Sequence, residues 1–298
     1  MNETTPASFA NMKVGIIGSG VMGEAMIGGL LSHHVLTADQ IVASDALPSR
    51  AAELRDQYKI QASTDNCAAA EGADVLVLSI KPQTLDKVLH ELHHGLTMQP
   101  KVVLSIIAGA SIQQISEGMG NPNIVRSMPN TPARIGQGIT VWTAAPNVPD
   151  VQREHARTLL RTFGQEVFVD DEHYLDMATA LSGSGPAYVF LFMEAMIDAG
   201  VHMGFPRRIA EQLVIQTVRG SVEYAAATSE HPATLRNQVT SPGGTSAEAL
   251  YHLEKGGLRT VVSRAIWAAY QRSVSLGAGQ KVSHSPKVRN PDDLDHGR

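Results

Sequence analysis

The feature that most constrains this chain is a glycine turn placed between a strand and a helix. Lys13-Val14-Gly15-Ile16-Ile17 reads as a short apolar strand and runs straight into Gly18-Ser19-Gly20-Val21-Met22-Gly23, which opens a helical pattern. In that context the first glycine permits a tight turn, the second lets a pyrophosphate approach the main chain, and the third lets helix and strand pack closely. The N–H groups at such a helix start have no intrahelical partner and favour an anion. The turn predicts dinucleotide binding in the first βαβ unit, with a purely structural turn as the alternative.

The pattern then repeats. Strand-like runs QIVASD, ADVLVLSI and KVVLSII alternate with helical stretches at PSRAAELRDQY, LDKVLHELHH and SIQQISEG, and NIVRSM follows. Continuous apolar strands separated by amphipathic helices predict a parallel sheet covered on both faces, a doubly wound α/β domain. The second strand ends at Ser44-Asp45, about 20 residues past the last glycine, where a carboxylate would accept the ribose hydroxyls of NAD. Ser44 and Arg50 would instead suit the 2′-phosphate of NADP, which Asp45 would repel unless it swings away. A third reading makes Asp45 a cap for the helix over Leu47 to Tyr58.

Near Asp170 the rhythm changes. PAYVFLFMEAMIDAGVHMG, PRRIAEQLVIQTVRGSVEYAAA and GGLRTVVSRAIWAAYQRSVSLGAG read as long helices with few strands between them, so the second domain is expected to be all-helical. Val189 to Ile197 is apolar around much of the helix, which implies burial against other helices or another subunit. Between the helices lies VTSPGGTSAEAL, residues 239–250, with two glycines and four hydroxyls at a helix mouth. It is a candidate anion site, against the plainer reading of a capped turn.

Composition excludes several classes. A chain of 298 residues suits two domains, and a net charge of -5 gives no footprint for nucleic acid or an anionic membrane. No run reaches the roughly 18 apolar residues of a membrane span. One cysteine, Cys67, excludes an intrachain disulfide and is expected to pack as a small hydrophobe. The twelve histidines show no metal-ligand spacing, so no metal is expected. The start has no basic cluster before an apolar run, which makes a reducing, cytoplasmic setting the default expectation.

Taken in order, the GxGxxG of Gly18 to Gly23, Ile80-Lys81-Pro82, Met128-Pro129-Asn130-Thr131-Pro132, LSGSGPAY from Leu181 to Tyr188, and TSPGGTS from Thr240 to Ser246 resemble the pyrroline-5-carboxylate reductase family. The last three motifs are far more specific than the glycine turn, and the similarity runs from about Lys13 to about Ser275. The resemblance implies an N-terminal Rossmann-type doubly wound parallel sheet and a C-terminal all-helical dimerisation domain of interlocking helices. The implied organisation is a mobile tail over 1–11, a dinucleotide-binding domain over 12–170, a helical dimerisation and substrate domain over 171–281, and a second mobile tail over 282–298.

It further implies reduction of Δ1-pyrroline-5-carboxylate to L-proline by a nicotinamide cofactor, at a site on a dimer interface. NADPH is the expected cofactor, with NADH possible because of Asp45. By matching position, Gly18, Ser19, Gly20, Val21, Met22 and Gly23 would hold the pyrophosphate, and Ser44, Asp45 and Asn66 would surround the adenosine ribose. Ser79, Ile80, Lys81 and Pro82, with Ala108, Gly109 and Asn130, would line the nicotinamide half. Ser241, Gly243, Gly244, Thr245 and Ser246 would take the substrate carboxylate, and Ser246, where the family often has threonine, would touch the ring nitrogen as the catalytic group. Glu172 is expected to reach the substrate site, with an acidic interdomain turn as the other reading.

Two rivals remain at this stage. The β-hydroxyacid dehydrogenases share a GxGxMG start and a helical second domain but need a lysine in a Gly-x-x-x-Lys helix start, and GSGPAYVFLFME has none. A non-catalytic NADP-binding sensor that kept the fold is the second.

Overall fold

The computed structural model describes Phe9 and residues 11–277. Eight strands form one sheet: β1 (Val14–Ile17), β2 (Ile41–Ser44), β3 (Gln61–Ser63), β4 (Val75–Leu78), β5 (Val102–Ser105), β6 (Ile124–Met128), β7 (Gly138–Ala144) and β8 (Gly164–Phe168). Their order is β3-β2-β1-β4-β5-β6-β7-β8. Every neighbouring pair is parallel except β6 and β7. The chain steps outward from β1 to β3, returns to β4 on the other side, and so creates a switch point between β1 and β4. A ligand of a doubly wound sheet sits at the carboxyl ends of the strands there.

Six helices cover the sheet: α1 (Val21–Ser32), α2 (Pro48–Tyr58), α3 (Asn66–Ala70), α4 (Leu85–Gly95), α5 (Ile112–Met119) and α6 (Asp150–Arg161). Successive residues of a strand face opposite sides. In β4, Val75 and Val77 join a core with Met26, Ile27, Leu54, Trp142 and Leu160, while Leu76 and Leu78 join a second core with Leu89, Leu92 and Ile115. Both faces are therefore dry, as continuous apolar strands require.

Three strands extend the sheet beyond the expected alternation. β3 is three residues long, β7 runs antiparallel to β6, and β8 closes the edge with alternate residues exposed. The sheet is parallel in its first six strands and mixed at the edge. Phe9, inside the expected N-terminal tail, is buried, and its carbonyl accepts from Gln40 Nε2 at 2.7 Å. Residues 1–8, Ala10 and residues 278–298, which take in the end of the expected helical domain and the tail expected over 282–298, lie outside the described residues.

The second half is helical. α7 (Tyr174–Ala178) passes through a π-turn (Thr179–Gly183) into α8 (Gly185–His202), followed by α9 (Arg207–Thr228), α10 (Pro232–Gln238), α11 (Thr245–Lys255) and α12 (Leu258–Gly277). α8 and α9 pack as a hairpin in which Gly200 lies against Ala210. Burial here is sparse: Gly200 is the one buried residue of α8, and α10 and α11 have none. The continuous run Tyr174–His202 reaches a mean hydropathy of 1.2 over an 18-residue stretch and is long and apolar enough by length and composition alone to cross a membrane, a property that core helices share, and Glu194 and Asp198 lie within it.

Candidate active site

At the switch point the glycine turn takes the shape its sequence predicts. Gly18 has φ of +87°, and a Cβ there would lie 2.5 Å from the Ser79 carbonyl oxygen. A Cβ on Gly23 would press into the Gly18 carbonyl, so α1 and β1 can meet only without it. Gly20 faces open space and caps α1 with no side-chain hydrogen bond. The first N–H groups of α1 are thus left for an outside acceptor beside a gap that a Cβ would narrow. These residues fit a bound dinucleotide pyrophosphate.

Around the turn the polar groups are already tied together. Ser44 is buried, its carbonyl accepts the Gly18 N–H at 2.9 Å, and its hydroxyl donates to Asn66 Oδ1 at 2.8 Å. Asp45 accepts from the Ser19 N–H at 3.0 Å and from the Leu47 N–H at 3.0 Å. Helix α2 is entered at Leu47 with Pro48 in its first turn, so Asp45 does not cap it. Arg50 donates from Nε to the Ser19 carbonyl at 2.9 Å and pairs with Glu24 and Glu53. Tyr58 donates to the same Glu24 at 3.1 Å.

Across the switch point, Ser79 continues β4 through its N–H to the Ile17 carbonyl at 2.8 Å, and Lys81-Pro82 opens a short 3-10 turn (Pro82–Thr84) flanked by Ile80 on the second core. Ala108 and Gly109 follow β5, Gly109 with φ of +76°. A Cβ on Gly109 would lie 3.0 Å from Gly277 N, at the end of α12. Asn130 anchors the loop after β6: its Oδ1 accepts from Ile139 N at 3.0 Å, and its Nδ2 donates to the Ser182 carbonyl at 3.2 Å. That carbonyl is presented by the π-turn, where the Ser184 N–H reaches back to Thr179 at 2.8 Å. Two motifs far apart in sequence, MPNTP and LSGSG, therefore meet beyond the carboxyl end of β6.

The TSPGGTS loop stands elsewhere. Gly243 has φ of +71°, Gly244 donates to the Ser241 carbonyl at 3.0 Å, and Gly244 caps α11 with no side-chain hydrogen bond. The first N–H groups of an 11-residue helix are thereby left open beside the hydroxyls of Thr245 and Ser246. Among the described residues no hydrogen bond or ion pair joins this loop to the α/β half. Glu172 is engaged away from it, accepting from Ile112 N at 2.8 Å and pairing with Arg126 at 2.8 Å.

One group of possible metal ligands occurs among the described residues, Asp65, Cys67 and Glu91, with their ligand atoms within 4.8 Å of one another. They are otherwise employed. Asp65 caps α3 through Ala68 N, Glu91 accepts from Asn66 Nδ2 at 3.0 Å, and burial followed by the Glu91 charge pushes the Cys67 thiol up.

The pattern described as pyrroline-5-carboxylate reductase dimerisation matches residues 172–276, and that described as NADP oxidoreductase coenzyme F420-dependent matches residues 13–109. A pyrroline-5-carboxylate reductase from Synechocystis sp. is 42% identical over 90% of this chain and 99% of its own length. The chain belongs to the pyrroline-5-carboxylate reductase family. Solved reductases agree in three dimensions: that of Coxiella burnetii superposes with a TM-score of 0.81 at 34% identity, covering 89% of this chain and 98% of that one. The Plasmodium falciparum enzyme with NADP bound gives 0.81 at 31% identity, covering 90% and 98%.

Within the reductase family the described geometry accounts for both matched segments. The glycine turn lies in the nicotinamide-cofactor half, and the sparsely buried helices lie in the dimerisation half. A reductive aminase from Aspergillus terreus, at 15% identity and a TM-score of 0.56, shares the fold alone. The β-hydroxyacid dehydrogenase and sensor readings are not favoured.

Proposed function

We propose that this chain reduces Δ1-pyrroline-5-carboxylate to L-proline with NADPH, the last step in making proline, as a cytoplasmic homodimer or multiple of dimers. The observation that carries the reading is a pair of uncapped helix starts in one reductase-family chain, at Gly20 and at Gly244, each flanked by the donors an anion needs. One suits a pyrophosphate and the other a small carboxylate.

A bound nicotinamide supplies a hydride for the imine carbon. The chain's own residues hold the two reactants. Gly18 to Gly23 fix the pyrophosphate, and Ser79 to Pro82, Ala108, Gly109 and Asn130 wall the nicotinamide end. Ser241, Gly243, Gly244 and Thr245 hold the substrate carboxylate through N–H groups and hydroxyls. Ser246 donates its hydroxyl proton as a hydrogen bond to the ring nitrogen, which makes the carbon a better hydride acceptor. Holding reacting atoms near contact contributes roughly 7–11 kcal/mol, whereas one acid–base group supplies about 10²- to 10⁴-fold. Alignment dominates, consistent with a site that has no acid–base dyad among these residues.

Among the described residues the loop has no polar contact with its own α/β half, so the reading assigns its meeting with a nicotinamide to the dimer. NADPH preference rests on Ser44 and Arg50 near the 2′ position; Asp45 has to leave the Ser19 N–H to admit a 2′-phosphate, and if it stays, NADH is favoured. The test is to follow nicotinamide absorbance after mixing with pyrroline-5-carboxylate, with NADPH and NADH side by side. Oxidation of either cofactor only when the imine is present is expected; no oxidation with either would end the reading.

A further inference from the structure

Arg126 lies on β6, two residues before the MPNTP motif, and its side chain is only 6% exposed. Its Nη1 donates to Glu172 Oε1 at 2.8 Å and its Nη2 to Asp176 Oδ1 at 3.3 Å. Both carboxylates belong to the helical half, and both carry a second donor. Ile112 N, at the start of α5, donates to Glu172 Oε1 at 2.8 Å, and Ser273 Oγ, on α12, donates to Asp176 Oδ1 at 2.8 Å.

One guanidinium therefore joins β6, α5, α7 and α12. The same junction is reinforced by Gly109 against the end of α12 and by Tyr270 Oη, 2.9 Å from His173 Nε2. Taking a charge out of water is expensive, and a buried pair commonly returns little net stability. What such a pair supplies here is fixed geometry. A planar fork that meets two carboxylates at once sets orientation as well as distance.

We propose that Arg126 is a positioning residue for hydride transfer, clamping the Ala108–Gly109 turn and the end of α12 to β6 through Glu172 and Asp176. The inference rests on the reaction proposed above. It gives Glu172 a role at the domain junction in place of contact with substrate. Through it, the wall of the nicotinamide site is held in register with the helical half that carries the substrate loop.

Two variants test it in the full chain. Arg126→Lys keeps the charge and loses the fork; Glu172→Gln keeps an acceptor for Ile112 N and loses the charge. For each, kcat is expected to fall about tenfold to hundredfold, the scale of a misplacement near 1 Å. KM for pyrroline-5-carboxylate and Kd for NADPH should stay within about twofold. Amide exchange should quicken over residues 108–112 and 270–277 and remain at the parent level in β1 and β4.

Parent kcat, or a lower Tm with unchanged kcat per folded chain, would overturn the proposal. So would unchanged exchange over both segments. If the parent chain does not reduce the imine, the reading of the reaction fails, and the exchange measurement still decides the clamp: faster exchange upholds the junction and unchanged exchange removes it.

Discussion

Ser246 is the second residue of α11, half-buried, and among the described residues no hydrogen bond engages its hydroxyl. A hydroxyl with no such partner beside open helix N–H groups is what the proposed contact with the ring nitrogen requires. Ser246→Ala should therefore lower kcat by about 10²-fold, the lower scale for a polar group at a reacting atom, with NADPH affinity and Tm kept. Turnover equal to the parent would remove its role. Gly23 makes the opposite kind of demand. Any Cβ there meets backbone of Gly18, which has no side-chain freedom with which to yield, so α1 has to back away from β1. Gly23→Ala should cost roughly 1–3 kcal/mol in denaturant unfolding, as overpacking does, and weaken NADPH binding. Binding and stability at parent values would show that the helix and strand have slack there.

Elements differ in how plainly the sequence announces them. β1, β2, β4 and β5 are covered on both faces, so their residues form short, nearly continuous apolar runs that length and β-branched content mark as strands. β8 lies at the sheet's edge, where Gln165 and Val167 face water, and its one charge, Glu166, points to the covered side and accepts from Trp142 Nε1 at 2.6 Å, so GQEVF shows no apolar run. β7 reads GITVWTA with Thr140, Trp142 and Thr143 buried, and its antiparallel entry comes through the 3-10 turn of MPNTP (Thr131–Ile135) rather than through any crossover helix. β8 lacks the signal of the first four, whereas β7 carries β-branched and aromatic residues but falls outside the alternation of strand and helix. The meeting of Asn130 with Ser182, and of Arg126 with Glu172, joins residues 46 or more apart in sequence and leaves no local trace. Helix α6 illustrates packing that pH can read. Burial pushes His155 on α6 below its ordinary value of 6.5, against the pull of the Asp74 charge; Lys101 and Glu154 also act on it. At Asp74 burial pushes up, but the Lys101 ammonium at 2.6 Å and the Lys13 N–H outweigh it and hold the carboxyl low. A histidine with a depressed folded value binds its proton more readily when unfolded. Its contribution is complete above pH 6.5 and is lost as pH falls below it, whereas that of Asp74 persists to far lower pH. Tm should decline as pH is lowered from about 8 to about 5, and His155→Gln should flatten that decline. An identical slope in both proteins would place the acid sensitivity elsewhere.

At the scale of the whole molecule, the two halves of the chain differ in what they bury. The α/β half closes two cores of its own, while the helical half leaves Phe190 60%, Leu191 67%, Val222 63%, Val261 61% and Trp267 59% exposed. Between the π-turn and α12 runs an apolar groove of about 950 Å³ lined by Met177, Leu181, Leu258, Val262, Ile266 and Trp267. Covering side chains of this size contributes about 1.5–3 kcal/mol each, so a few of them decide association. A second copy of the chain, matched by the dimerisation pattern over residues 172–276, is the proposed cover. Trp267→Glu places a charge in the groove without touching either core of the α/β half. Sedimentation should then shift toward monomer, and turnover should fall at least about tenfold at dilute protein, since in the proposed arrangement each nicotinamide loses the loop assigned to its substrate. NADPH affinity should hold, because the glycine turn and its supports lie wholly in the half that folds around its own cores. Recovery of turnover on raising protein concentration would tie the loss to assembly. A dimer that persists with full turnover would mean that the groove serves some other contact.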